Sequence, residues 1–566
     1  MKKIAALILA LAMLLALCAC GDNAAGKDPD PANTSNTQQD STPDSTPAPG
    51  VERKVVVGIA ADPSTFAPWE GFNQGVRHIF PMLYQSLISD VRDPETGNIV
   101  TYYTMITDFE QTGDVTYVLH LREGIYDTNG NPFTANDVVY SIMQFKQGPS
   151  ASNLAMMTDA VATDDLTVEV TVSDSLGVGE FEEMLTVPNM VTQASFEASP
   201  DGFQTTPVGT TGYKVTEYVP GSYVIMEKAD SYWNEKANET KAIEDGYVPT
   251  SDTTNIDTVE FQIITDTSTM AIALETGSID LATAVASSDV PLFAEGGSLS
   301  DDFNTHMLPD NMYGLIFNCS EHSVFSNINL RKAVAYSVSA QDLLDMIYDG
   351  EGFILKAYGM DYQIGYVDDW NNQDYFSQDL DKAQQYLDAY YKETGTSAKD
   401  LSVELITMST DAMNKYAQVI QAAMIKLTGN DKCCNITQYD SATYATIRGD
   451  EEKFDLAIMN SMSNKSYITY MWQVYFNGYS SSKKNDLCKT GDTVLWDLCE
   501  KAKLPETFND ENVNAFQQRL NEQCYFVNYI CGPSYWAGSN FITNYVIGPK
   551  NSAALCAMSY DWSLKS

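Results

Sequence analysis

The sequence has few basic residues and very few histidines. Lysine and arginine total 33 against 76 aspartates and glutamates, which gives a formal net charge of −43. A surface this acidic repels nucleic-acid phosphates, so we expect no nucleic-acid partner, and the simplest interpretation is solubility of an exported protein. The four histidines are scattered, without an HExxH motif or a pair at helical spacing, so a zinc hydrolase has little support.

Nucleotide, metal and repeat signatures are missing as well. The chain has no GxxxxGK[ST], no strand-linked GxGxxG, no metal-type cysteine spacing and no fixed-period repeat. These absences argue against a phosphate cradle, a metal site, a solenoid or a propeller, and we expect neither cofactor nor metal. What is present is ample core material: 566 residues with 44% hydrophobic and 11% aromatic content, enough for two or more domains.

Residues 1–20 are predicted to be an export signal that ends in a lipidated cysteine. Two lysines precede an almost purely apolar run at 4–17, which is too short for an ordinary membrane span but has the length of a signal core. The sequence LCACG at 17–21 resembles the bacterial lipobox, in which a small residue precedes the lipidated cysteine. We therefore predict lipidation of Cys20; the alternative is secretion without lipidation.

A polar segment follows the predicted anchor. Residues 21–50 contain no Ile, Leu, Val, Met, Phe, Tyr or Trp. Such a segment cannot bury a core, so we predict a disordered tether over 21–53 with an average length of about 30 Å. The expected location is the extracytoplasmic face of the cell membrane, where the lipid anchor would hold the protein.

The rest of the chain predicts an α/β fold of mixed α+β type. An apolar run at 55–60 and another at 117–121 predict strands, and Thr134 with Asp137 predicts a capping-box start of a helix. An earlier helix is predicted at 80–88. Its apolar face would consist of Phe80, Leu83, Tyr84, Leu87 and Ile88.

Two neighbouring stretches carry a recognisable signature. Residues 117–125 read YVLHLREGI and residues 130–141 read GNPFTANDVVYS. They resemble the pattern F-x-L-R-x-G-(V/I)-x-F-x-(D/N)-G-x-P-(F/L)-(T/N)-A-x-D-V of the family-5 extracellular solute-binding proteins, with Leu119 at the first phenylalanine position. Further similar stretches follow in the family's order, at 83–88, 207–213, 230–233, 273–280, 330–336 and 454–456.

The resemblance implies a two-lobed, periplasmic-binding-protein-like fold that closes around a ligand by hinge motion. It is the large type with an inserted subdomain, and the chain would cross between lobes near Phe317 and Pro533. The implied boundaries are 54–315 for lobe I with the insertion at about 98–208, 316–532 for lobe II, and 533–566 for a return to lobe I.

The resemblance also implies the function. Family members of the oligopeptide- and dipeptide-binding type deliver ligands to the permease of an ABC transporter, so we expect a monomeric receptor and no enzyme activity. Two alternatives remain open. The same fold could act as a surface ligand sensor without uptake, and an extracellular hydrolase would need a catalytic signature that the sequence does not show.

Peptide-binding relatives hold the α-amine with an aspartate that follows an F-D-(L/M) motif. Here FDL lies at 454–456, and the corresponding later positions are Ser463 and Asn464. Neither is charged, and a buried ammonium without a carboxylate partner is costly. This departure favours an oligosaccharide or another solute as the alternative to peptides.

Aromatic residues in loop-like or crossover segments supply further candidate contacts. Such rings could cover peptide side chains or stack on sugars, although core packing is the alternative for each of them. The candidate ligand-binding residues are Phe66, Trp69, Asn73, Ser463, Asn464, Trp472, Tyr535 and Trp536.

Eight cysteines follow Cys20, and seven of them lie beyond residue 430. In an exported protein an even number allows disulfides, although the sequence does not give the pairing. Free thiols are the alternative.

Overall fold

The folded part of the chain is known from a computed structural model. It describes residues 52–70, 75–92, 99–234, 255–462, 466–479, 486–548 and 551–565. The predicted signal, almost all of the predicted tether and Cys20 lie outside these residues. Within the described ranges, no helix is both long and apolar enough to cross a membrane.

Strands form where β-branched and aromatic residues cluster or alternate. The first strand has the sequence KVVVGI and buries Val55 and Val57 completely, which confirms the strand predicted at 55–60. In chain order the strands are β1 (Lys54–Ile59), β2 (Ile88–Arg92), β3 (Ile99–Tyr103), β4 (Ile106–Gly113), β5 (Thr116–Leu121), β6 (Met157–Asp164), β7 (Thr167–Val172), β8 (Tyr213–Val219), β9 (Tyr223–Lys228), β10 (Thr258–Ile263), β11 (Leu281–Ala282), β12 (Phe303–Phe317), β13 (Phe353–Ile354), β14 (Val403–Met408), β15 (Cys434–Tyr439), β16 (Leu456–Met462), β17 (Phe526–Ser539), β18 (Ile542–Asn544), β19 (Ile547–Gly548), β20 (Ser552–Ala553) and β21 (Ser559–Tyr560).

Helices begin at polar caps. The N–H of Thr134 donates to the Asp137 carboxylate at 2.7 Å, which confirms the predicted capping box. The helices are α1 (Ala135–Phe145), α2 (Glu180–Leu185), α3 (Gln193–Ala198), α4 (Thr267–Glu275), α5 (Val290–Phe293), α6 (Ile328–Ser337), α7 (Ala340–Tyr348), α8 (Leu380–Thr394), α9 (Asp411–Thr428), α10 (Ser441–Gly449), α11 (Thr469–Tyr475), α12 (Thr493–Lys503) and α13 (Asp510–Gln523).

The prediction of a helix at 80–88 is wrong. The chain makes only a short 3-10 helix at Phe80–Met82, and β2 begins at Ile88. Gln85 pairs instead with Met190 in an isolated β-bridge, and the carbonyl of Leu87 accepts two backbone hydrogen bonds from a later segment. Tertiary hydrogen bonds therefore hold this apolar stretch extended, although its spacing fits a helix.

One large sheet runs through the molecule in the order β15-β14-β16-β12-β17-β11-β1-β10-β9-β8, with β13 paired to β17 beside it. At one end β1 lies between parallel β10 and β11, and at the other β14 lies between parallel β15 and β16. The long antiparallel strands β12 and β17 join these two ends. Two further sheets, β4-β5-β7-β6 and β20-β19-β2-β3, flank the β1 end.

The hydrophobic core divides along β12 and β17. Side chains up to Leu308 of β12, and from Tyr535 of β17 onward, pack in the clusters that contain β1. Side chains from Tyr313 of β12, and up to Ile530 of β17, pack in the clusters that contain β14. We keep the names lobe I and lobe II for these two parts. The exact lobe boundaries stay predictions; Phe317 lies in the lobe II core.

Candidate functional site

The strand pair that joins the lobes is interrupted where the core divides. Pro309 of β12 lies opposite Pro533 of β17, and the register shifts between Pro309 and Met312. A proline has no N–H to give to the ladder, and a register shift breaks the ladder locally. The connection between the lobes therefore consists of two strands with weakened pairing, which suits a hinge.

A polar cluster lies beside this interruption. Asp310 stands at the register shift, and Asn311 donates to its carboxylate at 2.8 Å. Arg77 approaches from lobe I and interacts electrostatically with Asp310. From lobe II, the Tyr348 hydroxyl donates to the Tyr313 hydroxyl at 3.2 Å. Charged and hydroxyl groups from both lobes thus meet at the crossing.

Burial shifts the pKa values of the titratable groups in and beside this cluster. It raises the pKa of the Asp310 carboxyl, while Arg77 and the hydrogen bond from Asn311 act in the opposite direction. Burial lowers the pKa of the Arg77 guanidinium, which Asp310 opposes. Next to Arg77, burial lowers the pKa of His78 to about 3. The His78 ring is therefore neutral near pH 7, and its Nδ1 accepts a hydrogen bond from the N–H of Ala553 at 3.0 Å.

The lobes also touch away from the crossing. Ser466 of lobe II bonds to two carboxylates of lobe I: its Oγ donates to Asp90 at 3.0 Å and its N–H to Glu183 at 3.2 Å. The Arg92 guanidinium lies 4.1 Å from the centre of the Tyr362 ring, which belongs to lobe II. These contacts join the two lobes at a second place, away from the crossing.

Two of the predicted ligand contacts lie in the core of lobe I. Phe66 is fully buried and packs edge-on against Tyr218. The indole N–H of Trp69 donates to a backbone carbonyl at 3.1 Å, and its ring packs 4.8 Å from that of Phe196. Asn73, from the same loop, lies outside the described residues.

The later candidates divide between lobe II and the crossing. Trp472 is fully buried in lobe II, where its ring stacks on Phe516 at 4.4 Å. Trp536 packs edge-on against His78, and Tyr535 beside it has a buried hydroxyl without a hydrogen-bond partner in the described part of the chain. The structure therefore brings Tyr535 and Trp536 near the crossing. Trp536 shares the lobe I cluster of Phe66 and Trp69, and Trp472 lies in a separate core. Ligand contact stays a prediction for all of them.

Two of the predicted residues, Ser463 and Asn464, lie outside the described residues. Sequence reasoning also missed Arg77 and Asp310. The available signals were weak: Arg77 is one of only seven arginines, and Asp310 follows a proline in the middle of a long strand. In the described ranges, no group of three or more His, Cys, Asp or Glu side chains could hold a metal ion.

Known relatives share parts of the sequence. The oligopeptide-binding protein OppA of Bacillus subtilis (strain 168) is 24% identical over 375 residues, which cover 60% of this chain and 62% of OppA. The dipeptide-binding protein DppE of the same organism is 25% identical over 376 residues, with 61% of this chain and 60% of DppE covered. The chain thus matches less than two thirds of the length of these curated relatives.

A solved structure supports the fold over nearly the whole length. The oligopeptide-binding protein AppA from Bacillus subtilis, in complex with a nonapeptide, superposes with a TM-score of 0.63 at 17% identity, covering 90% of this chain and 99% of that one. The mixed α/β, two-lobed fold expected from the sequence is confirmed. The family described as bacterial extracellular solute-binding proteins, family 5 Middle, matches residues 102–483, more than half of the chain. The protein therefore belongs to family 5 of the bacterial extracellular solute-binding proteins.

Proposed function

We propose that this protein captures peptides between lobe I and lobe II and delivers them to the permease of an ABC importer. Membership of a solute-binding family, with relatives named for oligopeptide and dipeptide binding, supports the ligand class. The structural observation that carries the proposal is the interrupted β12–β17 ladder between two separate cores. No bond is made or broken in this mechanism.

Hinge closure explains how such a receptor would hold its ligand. Bending at Pro309 and Pro533 changes the separation of the lobes without disturbing either core. The hydrogen bonds from Ser466 to Asp90 and Glu183 would hold the closed form around the ligand. A ligand that binds only the closed form stabilises it by mass action.

The test is thermal melting of ligand-free mature protein with and without a mixed pool of short peptides. A ligand at 100 times its Kd adds about 2.7 kcal/mol to the folded state, so we expect a clear rise in melting temperature. Unchanged melting with peptides would reject the peptide assignment and leave oligosaccharides and other solutes, which the uncharged Ser463 and Asn464 favour.

Uptake and anchoring are separate parts of the proposal. Deletion of the gene should abolish growth on the identified ligand; normal growth would favour a surface sensor instead. Cys20→Ser should move the protein from the membrane fraction to the soluble fraction, because no acyl chain would hold it. Retention in the membrane fraction would contradict the lipid anchor.

A further inference from the structure

We propose that Cys319 and Cys488 of lobe II form a disulfide bond when the protein meets a small, positively charged organic disulfide. Cys319 reacts first with the incoming disulfide, and Cys488 then displaces the half that has become attached. The inference concerns lobe II alone and does not depend on the proposed capture of peptides. It assigns a pairing to two of the cysteines whose pairing the sequence does not give.

The backbone holds these two cysteines side by side. The N–H of Cys319, just beyond the end of β12, donates to the carbonyl of Cys488 at 2.8 Å. A backbone hydrogen bond of this kind places two Cα atoms roughly 5–6 Å apart, and a disulfide needs a separation of about 4.4–6.8 Å. The two residues are therefore close enough to be joined without a large movement of the chain.

The two side chains also pack in the same cluster. Cys488 belongs to the lobe II core cluster that contains Trp472, and Cys319 packs against that cluster. Burial, and next the neighbouring Cys319 thiol, raise the pKa of Cys488 well above its usual range, in agreement with thiols that lie near each other. Cys524 is another thiol near Cys319, but in the described part of the chain no backbone hydrogen bond joins those two residues.

Cys319 can be reached from solvent, whereas Cys488 lies behind it. Among the eight described cysteines Cys319 alone is partly exposed, and Cys488 is fully buried. Cys319 lines an open pocket of about 560 Å³, together with residues of the loop that contains Asp486 and Lys489. Pockets that admit small molecules measure about 300–1,000 Å³, so a small disulfide can enter and meet Cys319 first.

The charge of this pocket restricts the disulfide. Its lining contains Glu321, Glu451 and Asp486 against the single cation of Lys489. The excess of negative charge attracts cations and repels anions. Cystamine, a disulfide with an amine at each end, should therefore reach Cys319 more readily than oxidised glutathione, which carries a net negative charge.

The reaction is a thiol–disulfide exchange in two steps. The Cys319 thiolate attacks one sulfur of the disulfide RSSR, which forms Cys319–S–S–R and releases RS⁻. The Cys488 thiolate then attacks Sγ of Cys319 and expels the second RS⁻. The two thiol protons pass to the two RS⁻ groups, so the protein is oxidised by two electrons and RSSR is reduced to two RSH. Burial raises the pKa of Cys319 to about 12, so the exchange is slow at neutral pH and becomes faster as the pH rises.

The test treats reduced, folded mature protein with cystamine at pH 8 and then alkylates the remaining thiols in denaturant. Intact mass spectrometry should show two fewer alkylated cysteines than in untreated protein, and peptide mapping should link position 319 to position 488. The melting temperature should rise by roughly 2–6 °C, because the bond joins two segments that are distant in the sequence.

Serine variants separate the two steps. Cys488→Ser should stop after the first step and keep one cysteamine group on Cys319, whereas Cys319→Ser should keep all its remaining thiols. Cys499→Ser, the matched control, removes another buried thiol of the same core cluster and should react like wild type. Circular dichroism identifies variants that fail to fold, and the mapping of wild type does not depend on any variant.

The charge of the pocket is tested by repeating the reaction with oxidised glutathione. Folded wild type should react with it about tenfold or more slowly than with cystamine, after both rates are divided by those of the denatured protein.

Three outcomes would overturn the inference. If folded wild type keeps all its thiols in cystamine, the two sulfur atoms cannot meet. If mapping links Cys319 to Cys524 instead, the pairing is wrong. If cystamine and oxidised glutathione react at equal corrected rates, the pocket does not select the disulfide by its charge.

Discussion

Lobe I and lobe II bury different kinds of side chain. Lobe I buries titratable groups, including His78 and the carboxylates of Glu180 and Glu183. Lobe II buries thiols and rings: six of the eight described cysteines pack there, at 319, 433, 434, 488, 499 and 524. The two lobes share one sheet, but the fully buried carboxylates lie in lobe I and most of the buried thiols lie in lobe II.

The buried side chains of the two lobes should therefore respond differently to pH. Burial raises the pKa of Cys319 and of Cys434 to about 12, so these thiols stay neutral and behave as small apolar residues. These two thiols therefore do not make the lobe II core respond to moderate changes in pH. Charge-dependent behaviour should arise from lobe I and from Asp310 at the crossing.

The largest expected effect is a loss of stability when the core of lobe II is disrupted. Trp472→Ala removes a fully buried ring that stacks on Phe516 and donates to the carbonyl of Tyr358 at 2.9 Å. We expect a loss of about 3–5 kcal/mol in the free energy of unfolding, measured by denaturant titration. Trp472→Phe keeps an aromatic ring and should lose less. A loss below about 1 kcal/mol combined with weaker ligand binding would mean that Trp472 contacts ligand, as the sequence suggests.

A loss of ligand affinity and stability of intermediate size is expected from a substitution where the two lobes touch. Gly179 precedes α2 with φ of 70°, and a Cβ there would lie 2.0 Å from the Tyr467 ring of lobe II. Gly179→Ala should therefore push the lobes apart on this side, lower ligand affinity and increase the radius of gyration of ligand-bound protein in small-angle scattering. We expect a cost of about 1–3 kcal/mol from the overpacking.

Gly221→Ala is the matched control for Gly179→Ala. Gly221 has a similar φ of 74°, but nothing lies within 4 Å of its added Cβ. It carries the same backbone strain without the clash and should leave ligand affinity unchanged. Equal affinity losses in both variants would show that backbone strain, not contact between the lobes, is responsible.

Sequence patterns were informative where local and tertiary preferences agree. The valine-rich β1 and the Thr134 capping box form as predicted, since the local residues already favour these structures. The stretch 80–88 has helical spacing but forms a bridge from Gln85 to Met190. That partner is distant in the sequence, so no local pattern could indicate it.

The candidate site was harder to predict for the same reason. An aromatic residue such as Phe66 or Trp472 suits a core and a ligand pocket equally well, and only the position of its neighbours distinguishes them. Arg77 and Asp310 are far apart in the chain and act on each other electrostatically only because β12 crosses between the lobes. Family motifs identify the fold but do not locate this pair.

The smallest expected effect tests whether pH sensitivity belongs to lobe I. His78 has a pKa of about 3 in the folded protein, against an ordinary value of 6.5. Between these values the unfolded chain binds a proton that the folded chain does not, so the free energy of unfolding falls as the pH falls. The contribution of this one group is up to about 1.4 kcal/mol per pH unit.

His78→Asn removes the titration and offers an amide oxygen to the N–H of Ala553 in place of Nδ1. Denaturant titrations at pH 6, 5 and 4 should therefore give a shallower loss of stability for His78→Asn than for wild type. His322→Asn, which changes a partly exposed histidine of lobe II, should leave the wild-type slope intact. Wild type and His78→Asn differ in this one side chain, so the difference between their slopes reports on His78. If all three slopes are the same, the buried ring of lobe I does not set the acid response.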